Sequence, residues 1–327
     1  MDVHFIGDGT VTQHAVADLP ALLARSDGLV WVDIASCDDD AAKVLEDVFG
    51  VHPRALRACV DRNRVPKVHA YAEHVFVIGH EPERGAGGHV HYVEMDQIIG
   101  HGYLVTVHGP INPAVDPDVP LRHTRDVLRR IQAGRVRPRT AFDLSYAIMS
   151  GVTRHMEAFI EDVTNEVWQL EQQVTAGHLG DPEQFLEDLF RARHGLLAVR
   201  TMAAASREIY GRMTTLQRFI PAEDRGLVED LVDQFSRIDR LADSEKDYLQ
   251  GVIEFYRARA ETKMTIAAER LAVIAVVTLP ITALASVYGM NVIVNDRTDF
   301  VHLAIVLIVM AGMSALLLVW AKRHGWW

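Results

Sequence analysis

The chain has 327 residues, 24% of them charged, and 44 Asp and Glu against 33 Lys and Arg give a formal net charge of -11. That balance argues against nucleic acid as the main partner, because phosphate binding needs a basic surface. Its two cysteines, Cys37 and Cys59, are too few for a disulfide scaffold or a four-thiolate zinc site and read as ordinary thiols of a reducing compartment.

The opening "MDVHFIGDGT" has neither a basic n-region nor an apolar h-region, so it does not read as a secretory signal, and the chain is expected to start in the cytoplasm. "LVWVDIA" (29–35), "HVFVIGH" (74–80), "HVHYVEMDQIIG" (89–100) and "GYLVTVHG" (102–109) are short β-rich runs with partial alternation. "ERGAGG" is a turn signal between two of them. "DDDAAKVLEDVFG" opens with Asp residues suited to a helix N-terminus and closes in Gly. This part reads as a cytoplasmic α/β domain over residues 1–138, ending in the basic connector "AGRVRPRT".

From about residue 140 the pattern is helical. One amphipathic helix runs to "AGHLGDP", and a second runs from about Pro182 to Met213, with Asp181 as N-cap ahead of a proline at the first helical position. These make a helical hairpin over 139–220. No proline lies between Pro221 and Pro280, and a helix filling that stretch would span roughly 90 Å at about 1.5 Å per residue. Leu231, Phe235, Ile238, Ala242, Leu249, Val252 and Tyr256 form a heptad-like seam, broken at Glu245. A stalk helix of that length, 221–270, requires lateral packing on its own domain or on copies of itself. Asp233, Arg240, Asp247, Glu254 and Glu261 recur at seven-residue intervals on another edge. This edge is either a solvated face or the lining of a ring of helices, and periodicity does not choose between them.

"LAVIAVVTLPITALASVY" (271–288) carries no charge, and "FVHLAIVLIVMAGMSALLLVWA" (300–321) carries only His302 near its start. Each approaches the ~20 residues that cross a bilayer as a helix. Arg257, Arg259, Lys263 and Arg270 precede the first span and Lys322 and Arg323 follow the second, while the loop between them has Arg297 against Asp296 and Asp299. The positive-inside rule then puts both termini in the cytoplasm of a multi-pass plasma-membrane protein, with a cytoplasmic tail at 322–327. Trp320, Trp326 and Trp327 fit an interfacial aromatic belt. Thr278, Pro280, Thr282 and Ser286 give the first span small or polar positions suited to close packing or water contact. The interval from Glu254 and Glu261 continues through Ala268, Ala275, Thr282 and Gly289.

The sequence "YGMN" (288–291), at the outer end of the first of two C-terminal spans, resembles the Gly-Met-Asn signature of the CorA family of divalent-cation transporters. "VFGVHPRALRACVDRNRVPKVHAYAEHVFVI" (48–78) is similar to the family's cytoplasmic domain, and "YRARAETKMTIAAERLAVIAVV" looks like its stalk meeting the membrane; the likeness covers nearly the whole chain. The resemblance implies an α+β membrane protein: a cytoplasmic α/β domain, a long stalk helix and two C-terminal transmembrane helices, assembled as a funnel-shaped homopentamer in lipid. It implies a pore-lining first span (271–290), an extracytoplasmic loop (291–299) and a second span (300–321). Gly289, Met290 and Asn291 would form the pore mouth, Thr265, Ala268, Ala275 and Thr282 would line the path, and Leu271 and Leu279 would be apolar constrictions. Glu254 and Glu261 would be funnel acids. The implied activity is gradient-driven, channel-like transport of divalent cations, Mg²⁺ and also Co²⁺. A Zn²⁺ transporter of the same family, proton-coupled or not, is the alternative. The divalent cation would be cargo or regulator, with no other cofactor and no enzymatic role.

Three departures from the family pattern stand out. "NVIVNDRTDF" lacks the Met-Pro-Glu-Leu common after the motif, with Asp296 and Asp299 as its acids. Arg57 and Ala58 stand where an acidic pair is common, leaving Asp230, with Asp61 as a substitute partner, for a regulatory metal. Thr265 stands where many members carry Asn. Elsewhere, His89 and His91 read as solvent-facing residues beside a hairpin, with Zn²⁺ binding alongside His80 or Glu81 as the other reading. "HGPINP" (108–113) reads as structural. The chain has no G-x-x-x-x-G-K-[ST] phosphate loop, G-x-S-x-G elbow or H-E-x-x-H helix.

Overall fold

A computed structural model describes residues 1–176, 181–216, 218–289 and 300–323, apart from the side chain of His302. Met290, Asn291, the loop acids Asp296 and Asp299, and Trp326 and Trp327 therefore lie outside the described residues. The chain divides into two compact units, Met1–Val252 and Ile253–Trp327.

In the first unit a seven-stranded sheet is built from β1 (Asp2–Gly7), β2 (Thr10–His14), β3 (Gly28–Ile34), β4 (Lys67–Ala70), β5 (His74–Arg84), β6 (Val90–Gly100) and β7 (Tyr103–Val107), in the order β2-β1-β3-β7-β6-β5-β4. Only β3 and β7 run parallel, Val30 facing Tyr103 and Ile34 facing Val107. Helices cover both faces. α1 (Leu19–Leu23), α2 (Asp39–Asp47) and α3 (Pro53–Val60) bury Leu19, Leu22, Ala41, Leu45, Ala55 and Cys59 against Val30, Val32, Ile34, Phe76, Ile78, Ile98, Val105 and Val107. α4 (Arg122–Gln132) packs against α5 (Ala141–Thr175), and both α5 and α6 (Pro182–Met213) pack on β5 and β6. Burial on both faces removes the need for polar alternate residues, which is why the strands alternate only partially in sequence.

Helix starts follow local chemistry. The Asp38 carboxylate accepts the Ala41 N–H at 2.8 Å, Thr140 Oγ1 accepts that of Asp143 at 3.0 Å, and Asp181 accepts that of Glu183 at 2.9 Å, with Pro182 occupying a first-turn position that needs no donor.

α7 runs unbroken from Arg225 to Gly289, with Pro280 inside it, and so contributes to both units; α8 covers Phe300–Arg323. The seam is buried: Leu231, Phe235, Ile238, Ala242, Leu249 and Val252 are each 3% exposed or less, and Tyr256 is 6% exposed. Phe235 stacks on Tyr210 of α6 with centroids 5.5 Å apart. Polar links pin the same stretch of α7 to α5. Tyr146 donates to Asp230 Oδ2 at 2.7 Å, Thr153 donates to Gln234 Oε1 at 2.6 Å, and Arg237 pairs with Glu157 at 2.6 Å.

Candidate functional site

At about 100° per residue, Glu254, Glu261, Thr265, Ala268, Leu271, Ala275, Leu279, Thr282 and Gly289 all fall within an arc of roughly 120° on α7. Every one of them is exposed in the single chain, Leu271 and Leu279 at 66% and 67%. Val273, the one buried residue between Leu271 and Gly289, points about 140° away from Ala268 at that helical step. Every residue from Glu261 to Ala272 is exposed in the single chain, so what marks this arc is its chemistry: acids at one end, small and hydroxyl residues further on, and two leucines between. Arg257, Met264, Ala272, Ala283 and Ser286 share the arc, so its acidic end is not purely negative. Ser286, central on the arc, is the position that periodicity counted from Glu254 passes over, because it lies four residues beyond Thr282.

The hydroxyls on this helix have a defined polarity. Thr265 Oγ1 donates to the Glu261 carbonyl at 3.0 Å, Thr278 to that of Ile274 at 2.8 Å and Thr282 to that of Thr278 at 2.9 Å. With its proton committed to the backbone one turn earlier, each oxygen has only acceptor capacity to offer outward. Acceptors suit the water shell of a cation, whose protons point away from the ion. Pro280 supplies no N–H to the Val276 carbonyl, a further acceptor released on this segment. Gly289 ends the helix with no heavy atom within 4 Å of where a Cβ would sit.

α7 and α8 each contain a stretch long and apolar enough to cross a bilayer. Leu271, Ile274, Leu279, Phe300, Ile308 and Leu316 are all more than half exposed, an apolar surface far larger than a water-soluble monomer tolerates.

In the first unit, Asp61 caps the C-terminus of α3 one turn after the exposed Arg57. Asp230 receives hydrogen bonds from Tyr146 and from Gln234, the latter at 2.6 Å. Among the described residues neither aspartate joins a group of three or more His, Cys, Asp or Glu side chains placed to hold a metal. His80 and Glu81 do not join His89 and His91. The His80 ring bonds the Asn63 carbonyl at 2.8 Å, and Glu81 pairs with His123 at 2.5 Å and Arg122 at 3.5 Å.

Two buried polar groups escaped sequence reasoning. Asp33 hydrogen-bonds His108 at 2.7 Å and Thr106 at 2.5 Å; burial alone would raise its pKa, but the His108 contact holds it below the usual carboxylate value. Asp96 lies buried two residues from Glu94 on β6, and burial first, then the Glu94 charge, push its pKa well above the ordinary range. Glu94 in turn grips the Asn63 N–H and amide at 2.7 Å each. The sequence signal for Asp96 was Glu94-x-Asp96, two acids on one face of a strand that ends in the apolar Ile98 and Ile99.

The family described as CorA-like Mg²⁺ transporter protein matches residues 26–323. The Bacillus subtilis protein YfjQ is 23% identical over 302 residues, spanning 90% of this chain and 89% of its own length. The cobalt/magnesium transport protein CorA of Thermotoga maritima is 22% identical over 306 residues, spanning 90% and 83%. Among solved structures, the complete CorA magnesium transporter of Methanocaldococcus jannaschii superposes with a TM-score of 0.80 at 17% identity, covering 100% of this chain and 99% of that one; at that identity the likeness establishes the fold. The two apolar C-terminal helices match a membrane-anchored protein with a large soluble N-terminal unit.

Proposed function

This chain belongs to the CorA-like Mg²⁺ transporter family, and we propose that it conducts divalent cations, Mg²⁺ foremost and Co²⁺ beside it, as a homopentamer whose α7 helices surround one central path. The observation that carries the reading is the chemistry along one arc of α7, with Glu254 and Glu261 preceding the apolar span and acceptor-only Thr265 and Thr282 along it. Mg²⁺ releases its waters reluctantly. Neutral oxygens can therefore hold the hydrated ion through its shell, where a carboxylate cage would trap it. Leu271 and Leu279 supply apolar rings that gate by dewetting. Gly289, Met290 and Asn291 form the outer mouth, and Asp61 with Asp230 remains as a weak regulatory pair. Both termini face the cytoplasm. A divalent ion entering a negative-inside compartment then gains ~4.6 kcal/mol per 100 mV, at ~2.3 for each charge, so no chemical fuel is required.

The test is uptake into proteoliposomes containing only this protein, with Mg²⁺, Co²⁺ and Zn²⁺ compared side by side, each with and without a pH gradient. Voltage-driven Mg²⁺ and Co²⁺ entering regardless of pH is the expected result. Zn²⁺ uptake that rises with an inward proton gradient while Mg²⁺ stays silent would overturn the ion assignment. Absence of flux for every ion in a correctly assembled preparation would overturn the transport reading.

A further inference from the structure

The tip of the β5–β6 hairpin brings histidines together that are far apart in sequence. His89 directly precedes β6 and His91 lies within it, their ring centroids 4.8 Å apart at 76°. His194 on α6 stacks on His89 with centroids 6.3 Å apart at 27°. His89 and His194 are exposed and His91 is half-buried.

The hairpin approaches α6 closely because its turn is made of glycine. A Cβ on Gly85 would come within 2.4 Å of His91 Nε2, and one on Gly88, whose φ of +77° also favours glycine, within 2.4 Å of the Arg191 side chain. On α6, Arg191 is paired with Glu187 and with Asp188 at 3.4 Å. A cavity of about 400 Å³ opens beside His89, bordered by the Arg84–Glu166 and Arg191–Asp188 ion pairs.

A divalent ion held at about 2.0–2.1 Å by imidazole nitrogens keeps ring centroids roughly 4.5–5.5 Å apart. His89 and His91 already have that spacing, and His194 stands about 1 Å beyond it. Among the described residues no three His, Cys, Asp or Glu side chains are placed to hold a metal; the set requires the exposed His194 ring to rotate toward His89. We propose that His89, His91 and His194 form a three-imidazole site for a transition-metal ion, Zn²⁺ or Co²⁺, that fastens the β5–β6 tip to α6. Imidazole suits these ions, whereas Mg²⁺ demands oxygen ligands. The site therefore distinguishes transition metals from Mg²⁺, and it does so independently of any path along α7.

The experiment uses the full chain in detergent, free of any histidine tag. Zn²⁺ binding is measured by competition with a chromophoric chelator, and Co²⁺ binding by visible absorption. One strong Zn²⁺ per chain is expected, unmoved by millimolar Mg²⁺ and weaker in acid, because a ligating imidazole must be neutral. His89→Ala and His194→Ala should each weaken it at least tenfold, while His101→Ala, at the β6–β7 turn, should leave it unchanged. Thermal transitions without metal verify that each variant is folded. Zn²⁺ affinity that survives both substitutions overturns the proposal, as does a wild-type Co²⁺ adduct lacking the intense absorption of a low-coordinate nitrogen-ligated ion.

Discussion

Thr282→Val is the sharpest test of the acceptor face. The two side chains share β-branching and nearly the same volume, so the substitution exchanges a hydroxyl for a methyl and little else. The hydroxyl donates to the Thr278 carbonyl at 2.9 Å, and such a bond from a Ser or Thr to the backbone one turn earlier does not strengthen the helix. What disappears is the outward lone pair. Hydrogen bonds that involve a charged partner contribute about 1.5–3 kcal/mol, and the protons of cation-bound water approach that class. If about 1.4–2.8 kcal/mol of that stabilisation is lost at the barrier, flux falls roughly 10–100-fold. Initial rates of dye-reported Mg²⁺ uptake into proteoliposomes at fixed voltage measure it. Thr282→Ser should retain most of the flux, and Thr262→Val should conduct normally, since Thr262 makes the same bond to Ala258 but lies outside the arc. Wild-type flux through Thr282→Val in an assembled protein would refute the claim that this oxygen meets the ion's water shell.

Other expectations follow from the same structure. Asn291→Ala should abolish or badly impair uptake while assembly, measured by light scattering, is preserved; normal flux would sink the pore-mouth assignment. Arg57 and Ala58 stand where the family often has acids, so regulatory Mg²⁺ should bind weakly: a Kd of about 10 mM adds only ~0.2 kcal/mol at about 5 mM Mg²⁺. A rise of several degrees in melting temperature, lost in Asp230→Ala, would contradict this. Burial raises the pKa of Asp96, so the folded state binds a proton that the unfolded chain releases above about pH 4. Its contribution to stability is complete below that pH and is lost as pH rises toward the folded pKa, by at most ~1.4 kcal/mol per pH unit. Asp96→Asn should therefore stabilise the protein more at pH 8 than at pH 5 in denaturant titrations, and an unchanged pH profile would show that Asp96 is not the group responsible.

The helical half of the chain was legible because its punctuation is strong. Asp181-Pro182 marks the start of α6, Pro221 precedes α7 closely, and the seam from Leu231 to Tyr256 is buried as its spacing predicts. The sheet was legible only at its centre. β2 and β4 are short, largely exposed edge strands with few apolar residues to show a period of two, and β1 is a buried strand hidden in a terminal stretch read only for signal-peptide features. Tertiary partners were not legible at all. Tyr146 and Thr153 lie seven apart on α5, and Asp230 and Gln234 four apart on α7; each pair marks a helix face, but nothing in the spacing says that the two faces meet. His194 is the same case. His89 and His91 announce themselves two apart, while their third neighbour comes from a helix more than one hundred residues later.

The placement of charge along α7 argues for the path more strongly than any one residue does. Leu249, Val252 and Tyr256 sit about 100–160° around the helix from Ala268 at 100° per residue, so the buried seam and the exposed arc occupy different sides of one helix. On the arc the last acid is Glu261, ahead of the uncharged stretch that begins at Leu271. A carboxylate within that stretch would meet a desolvation cost of several kcal/mol, and if it were ionised it would bind a divalent ion too tightly to release it. Before the stretch, water is at hand, and exposed acids such as Glu254 and Glu261 can raise the local cation concentration without ligating any single ion. Neutral hydroxyls take over where charge becomes too costly. That handover from acid to hydroxyl along one helical face is expected of a path for hydrated cations, and a lipid-facing anchor would have no use for it.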